Sequence, residues 1–123
     1  MADPKRTHRG VLEFALGLPD AYEDHPWGET VVKVGKKIFV FLGNDESPTW
    51  PSMSIKLRES LDQALALPGA VPTGYGLGRA GWVTIPFSTR HAPLGVLTDL
   101  VEESYRLLAP KRLVARLEEP ATG

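Results

Sequence analysis

The chain has 123 residues, 42% of them apolar and 24% charged, which suits one soluble domain spanning residues 1–123 with a core of its own. Its net charge of −1 excludes a polycation that clings to nucleic acid everywhere, so any basic site must be local. The absence of cysteine excludes disulfides and thiolate metal sites and makes a reducing cytoplasm the expected compartment. The N-terminus has no signal-like apolar run. The longest uninterrupted apolar stretch, Ile38 to Leu42, is far too short to span a bilayer, so no membrane association is expected.

In chain order, Met1 to Arg6 reads as a tail and Thr7 to Leu16 as a first helix. Val11, Leu12, Ala15 and Leu16 recur at helical spacing, Thr7 can cap the start, and Gly17 and Pro19 stop it. Asp20 to Gly28 reads as a connecting loop. Glu29 to Leu42 is the strongest β-pattern. Two arms rich in β-branched and aromatic residues flank Gly35-Lys36, where a glycine at the first central position suits a type II′ hairpin turn. Gly43 to Pro51 is polar and turn-rich. Ser52 to Leu57 alternates, with Met53, Ile55 and Leu57 on one side and Ser52, Ser54 and Lys56 on the other, which predicts a half-buried strand.

A short helix is expected at Ser60 to Leu67, ended by Pro68-Gly69. Val71 to Gly81 carries four glycines in eleven residues and reads as a turn. Trp82 to Phe87 reads as a strand that Pro86 places near an edge or an end. Leu94 to Leu108 is the clearest helix, with Leu97, Leu100, Val101, Ser104 and Leu108 on one face and Glu102 and Arg106 paired on another. Lys111 to Leu117 adds a short helical piece. The order α-β-β-β-α-β-α predicts an α+β domain: an antiparallel sheet of four or more strands with helices packed on one face.

Gly76 to Gly81 matches G-x-G-x-x-G, but a strand follows it where a dinucleotide site needs a helix N-terminus. No cofactor is therefore expected there. His8, His25 and His91 form no ligand-spaced pair, so no metal site is expected, and no serine or threonine sits in a nucleophile motif. No catalytic residue is assigned and the chain reads as non-enzymatic. Basic residues carry the leading hypothesis. Lys33, Lys36 and Lys37 crowd the hairpin tip, Lys56 and Arg58 end the next strand, and Arg79 and Arg90 flank the last strand, with aromatics interleaved. Such a surface holds phosphates and stacks bases, which makes DNA the expected partner. The alternative is a small-molecule or protein-interaction module built on Trp27, Tyr75, Trp82 and the glycine-rich segment.

An ordered series of short motifs carries a family resemblance. It comprises Pro26-Trp27-Gly28, Lys33-Val34-Gly35-Lys36-Lys37-Ile38-Phe39, Ile55-Lys56-Leu57, Pro72-x-x-Tyr75, Gly81-Trp82-Val83-Thr84 and Glu103-Ser104-Tyr105. In that order they resemble the MmcQ/YjbR family from about Val11 to Leu117. The resemblance implies a compact frataxin-like α+β fold, also described as a double-wing DNA-binding fold, and implies DNA binding. It brings no catalytic residues. An iron-handling role would need an acidic ridge along the first helix, which offers only Glu13.

Overall fold

The computed structural model describes residues 3–46, 50–88 and 92–118. Helix α1 (Pro4–Leu16) leads into strands β1 (Ala21–Asp24), β2 (Thr30–Val34), β3 (Lys37–Gly43) and β4 (Ser52–Lys56). Helix α2 (Leu61–Leu65), β5 (Val71–Pro72), β6 (Trp82–Pro86), α3 (Leu94–Leu108) and α4 (Lys111–Leu117) follow. The strands form one six-stranded sheet in the order β1-β2-β3-β4-β6-β5, with every neighbouring pair antiparallel. The expected α+β architecture is therefore observed. None of the described helices is long and apolar enough to cross a membrane.

Period-2 alternation separates the two faces of the sheet. One row of cross-strand partners runs Val32, Val40, Ile55, Val83, and all four side chains are fully buried. Against them pack Val11 and Ala15 of α1 and Leu97, Leu100 and Val101 of α3. The next row runs Val31, Phe41, Ser54, Thr84 and points to the opposite, helix-free face. Val31 and Trp82 are buried yet stand outside the main core cluster, as residues of that second face must.

The β2–β3 hairpin turns at Gly35 (φ 61°) and Lys36, with Val34 paired to Lys37, as a two-residue II′ turn requires. Tyr22 of β1 braces the turn by donating its hydroxyl to the Gly35 carbonyl at 2.6 Å. Strand β3 does not simply alternate. Its register against β2 shifts between Val32 and Lys33, and again between Thr30 and Val31, leaving Phe39 and Leu42 as extra residues. These bulges turn both side chains into the core and explain why an unbroken apolar run serves a sheet with one open face.

A bulge leaves ladder groups without strand partners, and α3 supplies replacements. The buried Ser104 hydroxyl donates to the Phe39 carbonyl at 2.6 Å and accepts from the Lys56 backbone N–H at 3.0 Å. A serine on an apolar helical stripe is thereby explained: it ties β3 to β4 where their own ladder is interrupted. Its neighbours work on either side. Glu103 accepts from the backbone N–H groups of Arg58 and Ser60, at 2.9 and 3.3 Å. Tyr105 packs edge-on against Phe39, 5.2 Å between ring centroids, and donates its hydroxyl to the Pro19 carbonyl at 2.7 Å. Burial opposes the Glu103 charge, but the N–H donors of Arg58 and Ser60 outweigh it and hold the carboxyl below its usual range. Arg106 pairs with Glu102 at 3.1 Å, as its spacing predicts.

Four local expectations are corrected. Helix α1 begins three residues early, because Asp3 caps it through the Lys5 N–H and Pro4 occupies the first turn; Thr7 lies within the helix and is buried. The Asp20–Gly28 loop contains β1 and a 3₁₀ turn at Pro26–Gly28. The glycine-rich stretch contains β5 and a second 3₁₀ turn at Leu77–Ala80. Helix α2 covers Leu61–Leu65 alone. Both missed strands are short and lie at the sheet edges, so neither carries the two-sided apolar pattern that reveals a strand. Part of the Gly43–Pro51 loop (47–49), Arg90 and His91 lie outside the described residues.

Candidate functional site

Two features stand out on and beside the helix-free face. The first is the basic end of the sheet. The hairpin tip, the C-terminus of β4 and the N-terminus of β6 all lie at this end, as the antiparallel registers require. Lys56, Arg58 and Arg79 line one cleft there, with Leu57, Leu61, Gly81 and Leu107. Lys37 opens β3 beside the hairpin turn, paired with Val34, on the strand that adjoins β4.

The six predicted basic residues thus come from three chain segments to one sheet end. They are not equivalent. Lys33 is half-buried, pairs with Asp24 at 3.4 Å and lies 5.9 Å from the Tyr22 ring centroid. The N–H of His25 and the charge of Lys33 in turn keep the Asp24 carboxyl ionised below its usual range. Lys36, Lys37, Lys56, Arg58 and Arg79 form no ion pair among the described residues.

Backbone needs shape the cleft. Gly81 (φ 95°) packs so closely on Leu57 that a Cβ would strike its carbonyl oxygen, while the Leu57 N–H donates to the Gly81 carbonyl at 2.9 Å. Gly78 similarly leaves no room for a side chain against Pro72. Gly78 and Gly81 of the G-x-G-x-x-G match are therefore packing requirements and Gly76 (φ 78°) a backbone one, with β6 rather than a helix after them.

The second feature is a concavity of about 380 Å³ on the open face itself. Phe41, Ser52, Ser54 and Thr84 contribute from the sheet, Val71 to Tyr75 and Leu77 from one side, and Glu29, Gly43 and Trp50 from the other. Three hydroxyls are linked in series: Ser54 to Thr84 at 2.8 Å and Thr84 to Thr73 at 3.0 Å. Trp50 is held from behind by α1, with His8 at 5.4 Å between ring centroids and the Lys5 ammonium 5.9 Å from its centroid. His8 itself is engaged by the Leu42 carbonyl at 2.9 Å.

The three aromatics predicted as ligand contacts separate. Tyr75 lines this cleft, is fully exposed and has φ 60°. Trp27 is 91% exposed with φ 54°, but lies outside the lining; its near neighbour Glu29 belongs to it. Trp82 is 9% exposed and braces Phe41 edge-on at 5.7 Å without lining the cleft. A bulky aromatic at positive φ costs roughly 1–3 kcal/mol of backbone strain, and here neither gains burial in return. Ser54, Thr73, Thr84, Trp50 and Glu29 were not singled out as ligand contacts from sequence. Strand alternation marks Ser54 as outward-facing, but nothing in the sequence reveals that Thr73 meets Thr84. Among the described residues no group of three potential metal ligands comes together.

These features define a class: a small α+β domain with a helix-covered sheet face, an open cleft-bearing face and a basic end. The chain belongs to the YjbR family, whose model matches residues 16–107. Among solved structures it resembles the crystal structure of Deinococcus radiodurans protein DR2400, described by the domain DUF419. That protein is 25% identical, with a TM-score of 0.67 over 98% of this chain and 94% of the other. No curated protein matches the chain.

Proposed function

We propose that this domain binds DNA weakly and largely without sequence preference, through the phosphate backbone and without catalysis. One observation carries the reading. Lys36, Lys37, Lys56, Arg58 and Arg79 gather at one end of the sheet without ion-pair partners among the described residues. A cation already paired within the protein must give up that partner to meet a phosphate, whereas these five need not. Phosphate contacts position a duplex but do not read it, and each neutralised phosphate releases counterions. With three or four phosphates engaged, log K should fall with log salt at a slope of about −3.

Fluorescence anisotropy at several salt concentrations tests this. Changing Lys36 and Lys37 together to Ala should make the slope shallower by about 2 without altering the fold. Identical slopes for the two proteins, or no wild-type binding at low salt, would reject the proposal.

A second reading is small-molecule binding on the open face. It is favoured by the cleft's size, at the lower end for a ligand site, and by the strained, exposed Tyr75 beside it.

A further inference from the structure

The two features adjoin at β4: the basic cleft sits at the sheet end, between the sheet and helices α2 and α3, and the open-face concavity begins two residues back along the strand, so their chemistry is ordered along it. Lys56 and Ser54 belong to the same strand and point the same way, two residues or about 7 Å apart. The basic cleft lies at the Lys56 end. Next come the linked hydroxyls of Ser54, Thr84 and Thr73, with Phe41, Trp50 and Tyr75 around them. At the far end stands Glu29, which precedes β2 where Thr30 pairs with Gly43. Glu29 has no ion-pair partner among the described residues. The sequence along the face is thus cationic, then hydroxyl and aromatic, then anionic.

We infer that the open-face cleft receives a nucleobase bearing an exocyclic amino group, with its phosphate directed toward the basic end. A nucleotide has the complementary polarity. Its phosphate seeks the cations and is repelled from Glu29. Its ring stacks on aromatic side chains, and its polar edge meets hydroxyls that both donate and accept. The carboxylate supplies the discrimination, because it only accepts. Cytosine offers its N4 amino group, whereas thymine offers one ring N–H between two carbonyl oxygens that a carboxylate repels. A base stacked inside a duplex cannot enter the cleft, so the base comes from a single strand or from a free nucleotide. For its phosphate end the inference rests on the backbone-binding reading.

The test compares short single-stranded oligo-dC and oligo-dT at neutral pH by fluorescence anisotropy, with wild type, Glu29→Ala, Tyr75→Ala and the Lys36→Ala/Lys37→Ala pair. Wild type should prefer oligo-dC by about tenfold. Glu29→Ala should bring the two oligomers within about twofold of each other. Tyr75→Ala should weaken oligo-dC binding about tenfold. The lysine pair should weaken both oligomers alike.

Equal wild-type affinities for the two oligomers, with the lysine effect intact, would overturn the base pocket and leave the backbone reading standing. If neither oligomer binds, the backbone reading falls, and deoxycytidine monophosphate titrated by NMR decides the cleft. Amide shifts at Ser54, Thr84 and Tyr75 that disappear in Glu29→Ala would support a free-nucleotide site. No shifts at those residues would overturn the inference entirely.

Discussion

The two faces of the sheet are made by the same strands and differ in what their polar groups meet. On the helix-covered face, Ser104 is fully buried and its hydroxyl is used twice, by the Phe39 carbonyl and the Lys56 N–H. On the open face, Ser54 also hydrogen-bonds, to Thr84, but lines a cleft where water can replace its partner. The contrast shows why one face can be optimised for stability while the other keeps groups available. A buried polar group must have a partner within the protein, whereas one beside solvent need only have access to one.

The strongest way to break this contrast is to remove core volume. Leu100→Ala should cost about 2–5 kcal/mol in urea unfolding, because α3 presses this side chain against the sheet. A loss within measurement error would mean that α3 does not anchor the covered face. The two serines sharpen the comparison. Ser104→Ala should cost about 1–3 kcal/mol by stranding two backbone groups at the bulge, while Ser54→Ala should stay within about 0.5 kcal/mol. Equal losses would erase the distinction between the faces.

The effect at Glu103 is smaller than at Ser104 and depends on pH. Its folded pKa is depressed, so the stabilisation is fully present above the ordinary glutamate range and is lost as pH falls through the depressed folded value. Glu103→Gln should therefore cost about 0.5–1.5 kcal/mol near neutrality, with the difference from wild type shrinking in acid. A difference constant from neutral to strongly acidic pH would show that its charge plays no part. The same substitution should loosen the Arg58–Ser60 segment, and hence one wall of the basic cleft, which hydrogen exchange would report.

Much of the architecture was legible in periodicity. The β2–β3 hairpin, the alternating β4, the apolar stripe of α3 and its Glu102–Arg106 pair are local patterns, and local patterns survive in sequence. The family series Glu103-Ser104-Tyr105 was also legible, but its reason was not: each residue reaches a different segment, near Arg58, Phe39 and Pro19. Strand β1 was hidden because its Ala-Tyr-Glu-Asp sequence carries no buried stripe, and β5 because two residues hold no period.

The candidate sites divide along the same line. Sequence alone determined that basic residues crowd the hairpin tip, that none of the histidines has ligand spacing, and that the glycine-rich stretch precedes a strand. Tertiary structure decided which cations share a cleft, that Lys33 is held by Asp24, and that Trp82 braces the face while Tyr75 stands free beside the cleft. It also joined Ser54, Thr84 and Thr73, whose hydroxyls meet only because β4, β6 and the segment after β5 lie side by side. The physical reason is range. Helical and strand preferences act over a few neighbouring residues, whereas a cleft is fixed by strand pairing, bulges and edge order between residues far apart in the chain.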